Sequence, residues 1–452
     1  MNTKKRLTLN VMLLTLISPL IGFLFLTPAS MEGQNGYNAV YTGGTCCLSS
    51  AAFVDASVYS GDLCFKIYQA LQGLPIGTAE SVIDARGINP GGSNSCTNTP
   101  WWNGSALQTR GSYILLPAGT ITISSTWIMP DHAKLVGQGL GHGVTNVGTT
   151  LLAPLGFSGT YMVQMGSSTT GYCISSACVD VSIEGLALNG SDNGNLGGIL
   201  NANSQEMSFV NRVSLKNLPG TALQVGDGSS FAQNSGPYSN IWVQVGTSNT
   251  SPNTHCAQIL KVQTRGIHGM TCVAPPSVTV QGGVLLDAHN NIVENVHFEG
   301  FQDGVLIGSQ QAATSNTLIN INGSDAAGTN TNIQRVVHIS AANVTDLSIQ
   351  GVEAQATGTN TFDSIQDDET GVTLNSSQDA DVGLYVLGQA GPTVGSYTRF
   401  STSPRVQSWA VGTQPPPTLC SPNGALYTNA GPMGTTVQTT MYVCVQGQWK
   451  GI

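Results

Sequence analysis

Along the middle of the chain, short runs of alternating apolar and polar residues recur, each interrupted by Asn or a small residue. Examples are Val181-Ser182-Ile183-Glu184-Gly185-Leu186-Ala187-Leu188-Asn189-Gly190, Arg212-Val213-Ser214-Leu215-Lys216-Asn217 and Asn295-Val296-His297-Phe298-Glu299-Gly300. The motif returns at Asn240-Ile241-Trp242-Val243, Thr317-Leu318-Ile319-Asn320 and Asp346-Leu347-Ser348-Ile349. One marker from each (Leu186, Val213, Ile241, Val296, Leu318, Leu347) gives steps of 27, 28, 55, 22 and 29 residues. The step of 55 spans two coils, one of them degenerate. A repeat of this length holds two or three short strands and their turns, which predicts an all-β solenoid whose coils stack on one shared apolar core. Asn, Gly, Ser and Thr suit the turns and can line up in polar rows.

Other segments depart from that pattern. Residues 62–73 predict the one helix, with Asp62 as N-cap, Leu63, Ile67, Ala70 and Leu71 on one face, and Gly73 as terminator. It would form an N-terminal cap over the open end of the solenoid. Lys4, Lys5 and Arg6 precede the apolar stretch Leu7 to Leu26, followed by Ala29 and Ser30, the order of a secretory signal. An uncleaved anchor is the competing reading; Pro19 and Pro28 and the lack of a following basic cluster argue against it. The expected organisation is a signal peptide over 1–30, an N-terminal segment with the helical cap over 31–80, the solenoid over 81–411, a Pro-rich linker over 412–418 and a small β module over 419–452.

Composition narrows the function classes. Of 452 residues only 9% are charged, and the formal net charge is -9, which becomes -12 when Lys4, Lys5 and Arg6 are removed. An acidic chain without a basic stripe is not a nucleic-acid binder. After signal cleavage no segment is apolar and long enough to be expected in a membrane. Ten cysteines in an exported chain point to disulfides, with Cys173–Cys178, Cys256–Cys272 and Cys420–Cys444 as local pairs. His255, Cys256, His268 and Cys272 are the alternative, a metal site, although they lack CxxC spacing.

Residues 113–140 carry Tyr113-Ile114-Leu115-Leu116-Pro117-Ala118-Gly119-Thr120 and then Leu135-Val136-Gly137-Gln138-Gly139, while Val82-Ile83-Asp84-Ala85-Arg86-Gly87 follows the helix. Over roughly residues 62–155 the chain resembles the opening coils of the pectate lyase-like superfamily, in secreted bacterial members related to polygalacturonases and pectate lyases. The resemblance implies a right-handed parallel β-helix and, less directly, work on polysaccharides, because the scaffold also serves non-catalytic surface proteins. The polygalacturonase signatures do not transfer: Gly141-His142-Gly143 and Ile267-His268-Gly269 only superficially match Ser-His-Gly, and both precede the sole Asp-Asp, Asp367-Asp368. The Arg-x-Pro-x-x-Arg of extracellular pectate lyases is absent as well.

Glycoside hydrolysis requires two suitably spaced carboxyl groups. If Val296 and Phe298 point inward, His297 and Glu299 share an outer face, with Asp303 at the next turn. A second acidic group comprises Asp363, Asp367, Asp368 and Glu369. The expected catalytic set is therefore Glu299, Asp303, Asp367, Asp368 and His297; the bland reading is that turn acids cap backbone groups and outer His and Glu keep the surface soluble. Trp101 and Trp102, with Trp449 in the tail, are candidate sugar platforms, or core side chains. A uronate substrate would need a cationic patch, for which Arg212, Lys216 and Arg335 are the candidates, or calcium held by the second acidic group. A neutral glycan needs neither. The reading is a secreted protein that binds and cleaves an extracellular polysaccharide as hydrolase or lyase; the alternative is a non-catalytic surface or adhesive rod. A monomer and a trimer both fit the sequence.

Overall fold

The computed structural model describes residues 52–368 apart from 75–79, 102–110, 142–147, 168–172, 174–175, 228–232, 249–253, 277, 279, 325–333, 341–343 and 356–362, together with short strands beyond residue 368. All of these belong to one compact unit, Val40–Ile452.

Strand alternation builds two parallel stacks. Ser182–Asn189, Phe209–Leu218, Tyr238–Val245, Ile267–Val273, Ile292–Glu299, Thr317–Ser324 and Leu347–Gln355 lie side by side in the first sheet. Gly197–Asn201, Leu223–Val225, Ala257–Leu260, Gly282–Asp287, Asp303–Ile307, Arg335–Ile339 and Asp363–Asp367 do so in the second. The chain visits the sheets in turn, so the fold is a parallel β-solenoid of about nine turns. The register runs Leu186, Val213, Ile241, Met270, Val296, Ile321, Val352, with steps of 27, 28, 29, 26, 25 and 31 residues. Met270 fills the coil that the 55-residue step concealed. Leu318 and Leu347, chosen as markers, belong to the strand segment before the break, whereas Ile321 and Val352 continue the column after it.

That break has one backbone cause. Gly185, Arg212, Asn240, Gly269, Asn295, Asn320 and Gly351 each precede a column member and all have left-handed φ, between 53° and 72°. Asn and Gly tolerate this conformation best, which is why they dominate the position. Inward from the bend, Leu215, Val243, Cys272 and Phe298 stack as a second fully buried column. Polar rows stack too: Asn316 Oδ1 accepts from the Asn291 N–H at 3.0 Å, and Asn291 Oδ1 accepts from the Thr264 N–H at 2.8 Å.

The helix occupies Leu63–Gly73, with Asp62 Oδ1 accepting from the Phe65 N–H at 2.8 Å. A disulfide between Cys64 and Cys96, absent from the expected pairs, ties it to the strand Ser93–Cys96. Cys173–Cys178 forms as expected. Cys256–Cys272 also forms, but it is no loop staple: both residues are fully buried, and the bond joins the two sheets through the core. The four residues of the alternative metal site do not converge: His268 Nδ1 lies 2.7 Å from Glu294 Oε1 and His255 Nδ1 lies 3.0 Å from the Gly282 carbonyl. Cys420 lies outside the described residues, as do residues 1–51 with the expected signal. No helix among the described residues is long and apolar enough to cross a membrane.

The parallel order ends twice, once on each sheet. Val372–Asn375 pairs antiparallel with Asp363–Asp367, and Tyr385–Leu387 pairs antiparallel with Leu347–Gln355. Further along, Leu426–Asn429, Thr440–Val445 and Gln448–Gly451 form an antiparallel meander, which includes the alternating segment 441–445.

Candidate functional site

The last four parallel coils of the second sheet bring one column together. Gly282, Asp303, Arg335 and Asp363 are register partners on successive coils. Asp303 is 1% exposed, and burying a carboxylate requires compensating partners. It has two. Arg335 Nε donates to Oδ1, and His338 Nδ1 stands 3.2 Å from Oδ2. The other nitrogen of His338, Nε2, lies 2.9 Å from Asp368 Oδ2. Arg335 Nη1 donates to Gln366 Oε1 at 3.0 Å, and Gln366 Nε2 donates to Asp368 Oδ1 at 2.6 Å. Arginine, histidine, glutamine and two carboxylates from three coils thus close one network.

Both nitrogens of His338 face carboxylates, so the network suits an imidazolium. Burial opposes that charge, but the hydrogen bonds to Asp303 and Asp368 outweigh it and raise the pKa above the ordinary histidine value. The bonds from His338 and Gln366 lower the pKa of Asp368, which is the exposed end of the chain of groups. Asp363 shifts the other way, upward, because burial outweighs the nearby Arg335 charge. Below the cluster, His255 is fully buried with Nδ1 3.0 Å from the Gly282 carbonyl, and burial pushes its pKa down to about 4. Gly282 makes room for that ring: a Cβ there would come within 2.7 Å of His255 Nδ1.

The expected site residues separate across the two sheets. Val296 and Phe298 are buried, and His297 and Glu299 share the outer face of the first sheet, with His297 Nε2 3.1 Å from Glu299 Oε1. Asp303 opens a second-sheet strand, and its recorded partners are Arg335 and His338, not Glu299. Consecutive residues of a strand face opposite ways. Asp367 therefore takes the core-lining column behind Ile307 and Ile339, buried, while Asp368 turns outward to His338. The cationic trio also divides: Arg212 and Lys216 lie on the first-sheet strand Phe209–Leu218, and Arg335 on the second sheet. Trp101 is 2% exposed and packs edge-on against Trp127, so it is a core residue; Trp102 lies outside the described residues.

Sequence reasoning missed His338 and Gln366. Their signal was present in the strand pattern, since Val337 and Ile339 point inward and force His338 out. Of the acidic group expected to hold calcium, Glu369 lies outside the described residues and Asp367 is buried in the core-lining column, and no calcium ion fits between Asp303 and Asp368. The carboxylate oxygens of Asp303 and Asp368 already face Arg335, His338 and the Gln366 amide, all donors. The one described group with metal-ligand spacing, Asp131 with Cys173 and Cys178, has its sulfurs joined in a disulfide.

No family model matches the chain, and no curated protein does. Among solved structures, ORF18 of Geobacillus virus E2 is similar at 10% identity and a TM-score of 0.30, covering 88% of this chain and 86% of that one. A likeness that slight bears on neither fold nor activity.

Proposed function

We propose that this protein is a secreted, right-handed β-helix of the pectate lyase-like kind that binds an extracellular polysaccharide and cleaves it by hydrolysis at the His338–Asp368 pair. The observation that carries the reading is the convergence of Asp303 and Asp368, from different coils, on the two nitrogens of one histidine. The solenoid fold is compatible with carbohydrate binding or degradation, and it supplies the stacked strands that make such convergence possible.

In this reading Asp303 is a positioning residue, because it is buried and acts only through the ring it holds. The His338–Asp368 pair acts as one acid on one side of the sugar: the proton of His338 Nε2 passes through Asp368 Oδ2, 2.9 Å away, to the leaving glycosidic oxygen as the C–O bond breaks. A water bonds through its oxygen to the anomeric carbon and releases a proton to solvent, from which His338 recovers one.

The test is release of reducing ends from pectins, glucans and xylans, with Asp368→Asn and His338→Gln as controls. Each variant is expected to lose activity by about 10²-fold or more. The non-catalytic rod has one observation in its favour: the same bonds knit three coils together. It is the better reading if no polymer releases reducing ends while both variants lower the melting temperature.

A further inference from the structure

We infer that the outer face around His338 and Asp368 takes a neutral, hydroxyl-rich glycan and rejects uronate polymers. The inference rests on the reading above that this face is a polysaccharide site. It concerns which polymer is held.

A uronate chain presents one carboxylate per sugar, so a site for it needs cations with unspent charge or a bridging divalent ion. Arg335, the one arginine or lysine in the network, is engaged twice within the protein: Nε serves the buried carboxylate of Asp303, and Nη1 serves Gln366. His338 is likewise held between Asp303 and Asp368. Asp363, the register partner of Arg335 on the terminal coil, adds a further carboxyl on the same column. Two cationic groups therefore face three carboxyl groups. Elsewhere the same internal pairing recurs, with Lys134 Nζ 2.6 Å from Asp180 and Arg86 bound to Asp84 through two nitrogens. Arg212 and Lys216 lie on the other sheet. Arg212 also occupies a left-handed bend position, φ 53°, where its backbone serves the fold.

What the face does offer is acceptor and amide chemistry: the exposed carboxylate of Asp368, the Gln366 side chain, and the neighbouring Gln302–Gln334 amide pair at 3.1 Å. Sugar hydroxyls donate to and accept from such groups without bringing charge. An incoming carboxylate would meet Asp368 and Asp363 and find each cation already paired, so repulsion sets the preference. The bridging route is blocked as well, because Asp368 and Asp303 are turned toward donors.

The experiment is affinity electrophoresis of the full mature chain in gels containing xylan, mixed-linkage β-glucan or polygalacturonate, with chelator present, at two salt concentrations. Retardation is expected in at least one neutral polymer and little changed by salt, with polygalacturonate binding at least about tenfold weaker. Asp363→Lys is expected to gain salt-sensitive retention on polygalacturonate. Asp363→Asn should gain less, and it serves if the lysine variant does not fold. Polygalacturonate retention equal to or above that of every neutral polymer overturns the inference, as does retention by none. The reducing-end assay separates the two claims: polygalacturonate cleavage that Asp368→Asn abolishes would sink the neutral-glycan preference and leave the hydrolase reading standing.

Discussion

At the residue scale, one buried carboxylate organises the cluster. Asp303 is sealed from solvent and neutralises Arg335 and His338, which are themselves mostly buried. Asp303→Asn removes the anion and leaves two cationic groups without it, a loss of about 3 kcal/mol, measurable by denaturant unfolding near neutral pH. The same substitution lowers the tendency of His338 to hold its proton, so the alkaline limb of any activity profile should move to lower pH. For the wild-type protein, hydrolysis needs His338 protonated and Asp368 ionised. With the first pKa raised and the second lowered, the pH–rate plateau should extend from below 3.8 to above 6.5. A profile that falls before pH 6.5 on the alkaline side would remove His338 from the proton-donating role. Asp303 and Asp368 were both visible in the sequence as acids at strand ends. Their meeting was not, because thirty or more residues separate Asp303 from His338 and only coil stacking makes them neighbours.

At the element scale, strand periodicity determined which side chains could cooperate. Alternation placed His297 and Glu299 on one outer face, in agreement with the inward positions of Val296 and Phe298. The same alternation divided Asp367 from Asp368, sending one to the core and the other to His338. Adjacent acids in sequence look like a pair and in a strand cannot be one. Close packing between the sheets sets a further limit. Phe298 lies over Gly283, where a Cβ would come within 2.2 Å of the ring and 2.7 Å of the Gly304 carbonyl oxygen, so both ring and backbone would have to shift. Gly283→Ala should cost about 1–3 kcal/mol by overpacking, read as a lower melting temperature with unchanged β-sheet circular dichroism. An effect within experimental error would mean that Phe298 and the Gly304 carbonyl both give way freely.

At the scale of the whole molecule, stability should depend on pH through two histidines that act in opposite senses. His255 is buried neutral with its pKa lowered to about 4, so the unfolded chain binds a proton more readily between there and 6.5, and stability falls as pH drops through that window. His338 has a raised pKa; its stabilisation is fully present below 6.5 and is lost as pH rises through the folded value. Their combined contribution is therefore greatest near pH 6.5. In thermal melts, His255→Gln should flatten the acid slope and His338→Gln the alkaline one; slopes unchanged in both variants would contradict the assignment. The repeat of about 27 residues, the left-handed Asn and Gly breaks and the capped helix over 62–73 were all legible locally, since each follows from periodicity or from backbone preference within a few residues. Which cysteines meet through the core, which acids share a histidine and which arginine is already neutralised were decided only by stacking. Those contacts join residues that are close along the coil axis and one or more full turns apart along the chain.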